Sequence, residues 1–95
     1  MNTKRARKSE SADLPELSDI GFLVAVLVRA LVDRPDEVEV QEHAGLRTTI
    51  IEVRVAPSDH GKLIGRRGRT ANAIRELLVD LSGKRRHRYL IEILD

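Results

Sequence analysis

Apolar residues recur at helical spacing from Ile20 to Leu31. Ile20, Leu23, Val24, Leu27, Val28 and Leu31 form one stripe, which predicts a core-facing helix capped by Ser18 or Asp19 and stopped before Pro35. Phe22 and Val26 lie off that stripe, so the helix is apolar almost all round and calls for a second cover. From Glu37 to His43 charged and apolar residues alternate. After a turn at Ala44-Gly45, the segment from Thr48 to Ala56 places Ile51, Val53 and Val55 on one face and Glu52 and Arg54 on the other. Period-two patterns flanking a glycine turn predict a hairpin. Pro57 ends it, and Ser58 or Asp59 is expected to cap a short helix. Helical spacing resumes from Arg69 to Ser82, with Ile74, Leu77, Leu78 and Leu81 inward and Gly83 as the expected stop. His87 to Leu94 reads as a last strand, with Tyr89, Ile91 and Ile93 sharing a face.

The order is therefore helix, strand, strand, helix, helix, strand, an α+β arrangement. A strand joined to another in the same sheet through helices makes a right-handed crossover, so the last two strands are expected to be parallel. That gives a three-stranded mixed sheet with the helices packed on one face.

Between the two later helices runs Gly61-Lys62-Leu63-Ile64-Gly65-Arg66-Arg67-Gly68-Arg69. Gly65 and Gly68 permit a sharp turn and leave no side chain to hold a ligand's backbone away. Amides that open a helix lack intrahelical partners and suit an anion such as phosphate. From Gly61 to Arg75 the chain carries Lys62, Arg66, Arg67, Arg69 and Arg75 and no acidic residue. Against a formal net charge of +2, that surplus has the form of an electrostatic nucleic-acid footprint.

Composition narrows the choice. Ninety-five residues make one small domain, and a 41% hydrophobic share is ordinary for a globular chain. Cysteine is absent, which removes disulfides, thiolate metal sites and thiol nucleophiles and is compatible with a reducing, cytoplasmic setting. The longest apolar run, Phe22 to Val28, is too short to span a bilayer, and the basic start leads into no signal-peptide apolar region. Phe22 and Tyr89 are the only aromatic residues. Readers that stack bases on several aromatic side chains are thereby excluded.

The loop, in the frame Val55 to Arg69, matches the GXXG loop of KH domains. With Ala30 to Val40 and the ending Ile91-Glu92-Ile93-Leu94-Asp95, the chain from about Ser18 to Asp95 resembles the small bacterial single-KH RNA-binding proteins of the KhpA family. The chain order matches the type II KH domain. The resemblance implies non-catalytic binding of single-stranded RNA, as a post-transcriptional regulator or RNA chaperone. Gly65, Arg66, Arg67 and Gly68 would grip the backbone of about four nucleotides while bases lie over an apolar groove. By position, Lys62 and Arg69 would steer or contact phosphate, and Leu63 and Ile64, with part of Ile50 to Val53, would line the groove. It also implies self-association, as a homodimer or as a heterodimer with a larger KH-domain protein. The rival reading is a protein-interaction module whose main work is such docking.

Other charged segments stay open. Residues 1–17 read as a disordered basic tail preceding a KH domain over 18–95. It is either a plain solvated segment or an arm that adds non-specific affinity for nucleic acid. Lys84-Arg85-Arg86-His87-Arg88 reads either as cations drawn to the helix C-terminus, although four exceed what it needs, or as a surface for a longer RNA strand or an acidic partner. Asp33, Asp36, Glu37, Glu39 and Glu42 read as a charged edge that discourages aggregation. His43, His60 and His87 fall in three different elements, the loop lacks the Lys-Ser or Lys-Thr of a nucleotide-binding P-loop, and no ligand cluster suggests a metal. No enzyme activity, cofactor or metal is expected.

Overall fold

A computed structural model describes residues 17–95. The basic tail expected over 1–17 lies, apart from Leu17, outside the described residues. The elements are α1 (Asp19–Leu31), β1 (Glu39–Ala44), β2 (Thr48–Arg54), α2 (His60–Ile64), α3 (Arg69–Arg85) and β3 (Arg88–Ile93). Single 3-10 turns at Pro35–Glu37 and Pro57–Asp59 sit between them, and a tight turn with non-helical backbone at Arg67 spans Arg66–Gly68. The sheet order is β1-β2-β3, with β1 and β2 antiparallel and β2 and β3 parallel in the register Ile51↔Ile91 and Val53↔Ile93. The α-β-β-α-α-β order and the mixed sheet are those of a type II KH domain.

The core forms where the helix stripes meet one sheet face. Val24, Val28, Ile51, Val53, Leu63 and Leu78 are almost wholly buried, with Ile20, Val32, Val55 and Ile74 around them. Each such side chain stabilises the fold by about 1.5–3 kcal/mol relative to exposure. In β3 it is Tyr89, Ile91 and Ile93 that turn toward this core, as the alternation requires.

Helix α1 is rotated from the expected stripe. Its buried residues are Ile20, Gly21, Val24, Ala25 and Val28, whereas Leu23 and Leu31 keep 37% and 41% of their surface. Small residues at Gly21 and Ala25 let this side of the helix approach closely, and the bulkier leucines are left at the rim. The N-terminus is fixed by Ser18, whose Oγ accepts the Gly21 N–H at 3.1 Å. Ser18 in turn donates from its N–H (2.9 Å) and its hydroxyl (2.8 Å) to Glu42 Oε2 on β1. A Cβ on Gly21 would overlap that carboxylate. One member of the acidic stretch therefore ties α1 to the edge strand.

Three other expectations are corrected. Asp59 stands at the N-cap position of α2, but its side chain makes no capping bond there. Its carboxylate is 1% exposed and accepts the N–H groups of Asp33 at 3.1 Å and Arg34 at 2.9 Å. Hydrogen bonds to a charged group stabilise by about 1.5–3 kcal/mol, and these pin the segment after α1 to the entrance of α2. Helix α3 runs through Gly83 to Arg85, and Arg86, not glycine, takes the left-handed position at φ 56°, ψ 38°. The stop is set by tertiary contacts, since Ser82 Oγ accepts the Tyr89 N–H at 2.9 Å and so fixes where β3 begins. Leu77, expected inward, is 40% exposed because Ala71, Ile74 and Leu78 alone meet the core squarely.

Candidate nucleic-acid interface

The loop is suspended between two anchors. Leu63, 0% exposed, sinks the end of α2 into the core, and Ala71 and Ile74 do the same for the start of α3. Gly65 donates its N–H to Gly61 O at 2.9 Å and closes α2; Gly68 donates to Gly65 O at 3.0 Å and closes the turn. Gly65 adopts φ 82°, ψ 167°, a region open in practice only to glycine. A Cβ there would also collide with the Thr70 hydroxyl and approach its backbone nitrogen to 2.8 Å. Arg67 (φ 58°) and Gly68 (φ 74°) follow in left-handed conformation. Among the described residues no side chain caps the N-terminus of α3, whose Arg69 N–H is taken by Arg66 O.

Arg66, Arg67 and Arg69 are exposed and pair with no carboxylate among the described residues. The turn made by the left-handed Arg67 and Gly68 leaves both central arginines exposed. Lys62 is placed differently, with Nζ 3.4 Å from Asp33 Oδ2. That pairing exists because the Asp59 carboxylate holds Asp33 beside α2, a long-range arrangement with no local signal in the sequence. Arg75 adds a cation on the next turn of α3, its guanidinium donating to Asn72 Oδ1 at 3.1 Å.

The structure divides the residues expected to line a groove. Ile64 is half-buried and keeps surface beside the loop. Leu63 is wholly buried, so it supports the loop from beneath and offers a ligand nothing. Ile51 and Val53 are likewise closed off in the core, and Ile50 and Glu52 alternate onto the sheet face away from it. Leu63, Ile51 and Val53 are closed off for one reason: they are needed to hold a small core together. A concavity of about 550 Å³ lies along β1, lined by Arg29, Val38, Val40 and Arg54 among others, and includes no loop residue. That concavity therefore lies apart from the glycine loop. His60 opens α2 with Nε2 3.2 Å from Asp95 Oδ1 but without the alignment of a hydrogen bond.

A sequence model of the KhpA/KhpB KH domain matches residues 22–93, which hold the loop, all three strands and the core except Ile20. The chain belongs to the KhpA/KhpB KH-domain family. Among its relatives, the RNA-binding protein KhpA of Caldanaerobacter subterraneus subsp. tengcongensis is 48% identical over 75 residues, covering 79% of this chain and 100% of that one. The RNA-binding protein KhpA of Borreliella burgdorferi is 49% identical over 73 residues, covering 77% of this chain and 89% of its own. The protein of the same name from Treponema pallidum is 47% identical over 73 residues, with 77% and 91% covered. No solved structure matches significantly. Family membership accounts for the chain order, and these relatives bear the names of binding proteins, not of enzymes. No helix among the described residues is long and apolar enough to cross a membrane.

Proposed function

We propose that this protein binds single-stranded RNA by clamping its sugar-phosphate backbone in the Gly65-Arg66-Arg67-Gly68 loop, without catalysis, as a cytoplasmic post-transcriptional regulator or RNA chaperone. One observation carries the reading: a glycine-dependent, acid-free turn before α3 exposes two arginines that pair with no carboxylate of the described residues. Backbone N–H groups and guanidinium groups both recognise phosphate oxygens, and charge-assisted contacts are the stronger kind. Arg69 adds charge at the first helical position, and Lys62, shared with Asp33, steers more than it grips. The names of the relatives support RNA as the ligand. Contacts of this sort read little sequence, so affinity should vary little among unstructured RNAs of one length.

Salt dependence tests the clamp. Neutralising a few phosphates should make log K fall with log[salt] at about −0.7 per phosphate, giving a slope of roughly −2 to −4 in a titration series. A slope near zero would show that phosphate is not the main contact.

A second reading, association with another KH protein, is favoured by the uncovered side of α1. Phe22 is 60% exposed, Val26 45% and Leu23 37%, and they share one side of the helix. Apolar area costs about 25 cal/mol per Å² to leave in water, so a partner surface gains by covering it. The occupant is a second copy or a larger KH-domain protein. Replacing Phe22 and Val26 together by Lys should convert a dimer to monomer in sedimentation velocity while the loop still binds RNA. A dimer that persists would place the interface elsewhere.

A further inference from the structure

Among the described residues only two that are not glycine adopt positive φ, and both are arginines flanking α3: Arg67 before it and Arg86 after it. A left-handed residue is the usual end of a helix, but glycine or asparagine fills it at little cost, whereas a long side chain there is strained by about 1–2 kcal/mol. Strain held at a specific position points toward a use for the side chain. At Arg67 that use is the clamp. At Arg86 nothing in the fold requires a guanidinium.

The surroundings of Arg86 are rigid and basic. Arg88 donates its N–H to Arg47 O at 2.9 Å, which joins the turn after α3 to the β1–β2 hairpin turn. His87 Nε2 and Thr49 Oγ1 share a hydrogen bond of 2.8 Å, and Ser82 Oγ, itself donating to Leu78 O at 2.7 Å, accepts from Tyr89. Arg47, Lys84, Arg86 and Arg88 are all exposed, and none pairs with a carboxylate of the described residues. Arg85 is different. Its guanidinium makes two contacts to Asp19, at 2.8 and 3.2 Å, which leaves it committed to holding α3 against the start of α1. So the cluster read in the sequence as one basic run divides into a structural arginine and a set of free cations, and the fold adds Arg47 from a distant segment.

We propose that Arg47, Arg86 and Arg88 form a second phosphate-backbone contact for single-stranded RNA, engaging nucleotides beyond those in the glycine loop. The proposal rests on the clamp reading and extends it. Helix α3 has 17 residues, so the two contacts stand roughly 25 Å apart along it. A four-nucleotide clamp does not reach that far, and a longer strand does. Linking two weak contacts through one RNA makes the second intramolecular and raises affinity with length, without sequence reading. The guanidinium fork takes carboxylate and phosphate oxygens alike, so it does not choose the partner. A strand already gripped at the loop favours phosphate here, because its own continuation reaches the turn without a second macromolecule.

Length-dependent binding of oligouridylates separates the two contacts. In the full chain, the triple variant R47Q/R86Q/R88Q should weaken binding of a 15-mer by about tenfold or more and flatten its salt slope by about 2, while a 5-mer binds as to the wild type. Arg86→Gly is the control for folding. It relieves the left-handed strain, so Tm should hold or rise, yet 15-mer affinity should still fall about two- to threefold. A folded triple variant with wild-type 15-mer affinity and slope overturns the second contact and assigns the cluster to an acidic protein surface. Equal loss for 5-mer and 15-mer overturns it as well, since the arginines would then act through the clamp. If the triple variant does not fold, unchanged 15-mer affinity in Arg86→Gly overturns it. The clamp fails by a different result, namely 5-mer binding that survives Arg66→Asp with Arg67→Asp.

Discussion

Changing Arg66 and Arg67 together to Asp should abolish binding of single-stranded RNA, lowering affinity by about two orders of magnitude or more, and leave the fold in place. Two exposed cations at the tip become two anions, which would replace attraction for a phosphate backbone by repulsion. Stability should change by no more than about 0.5 kcal/mol, as for surface substitutions that break no packing or pairing. The backbone favours the change, because Arg67 sits at φ 58° and Asp tolerates the left-handed region better than a long side chain does. Fluorescence anisotropy with a short oligouridylate, beside thermal unfolding, checks both halves. A folded double variant with wild-type affinity removes the loop from the binding site.

The second large effect separates the two glycines. Gly65→Ala should lower stability by about 2–4 kcal/mol and weaken RNA binding as well, because it forces a side chain into a glycine-only backbone region and into Thr70. Either the strain stays and the domain loosens, or the loop shifts and its amides lose their aim. Gly68→Ala should cost only about 1 kcal/mol, since its added Cβ meets nothing closer than Asn72 Nδ2 at 3.5 Å and the penalty is the left-handed backbone alone. Denaturant unfolding of the two variants tests the ranking. Equal costs would mean that the Thr70 contact does not constrain Gly65.

The loop pattern thus names both glycines, but only packing makes them unequal. Position, charge and the absence of acidic residues between Gly61 and Arg75 were all legible in the chain, because a turn and its charge are local properties. The identity of the residues that hold the turn was not. Thr70 against Gly65, Asp33 beside Lys62 and the buried Asp59 carboxylate all depend on which segments meet. Asp59 illustrates the limit well: next to a helix start, an aspartate reads as a cap, and nothing local announces that its partners lie 25 and 26 residues earlier.

By itself, the sequence determined the order of elements, the parallel pairing of the last two strands, the place of the loop and its cationic character. These follow from residue periodicity, turn chemistry, connection handedness and charge, each acting over a few residues or through a general rule of chain geometry. Tertiary structure alone decided which side of α1 is buried, where α3 stops, that Leu63 supports the loop from below, and that Arg85 is tied to Asp19 while Arg47 joins Arg86 and Arg88. The physical reason is that an apolar residue or a cation has several equivalent partners available along the chain. The choice among them is made by close packing and by the distances between segments that only the folded core sets.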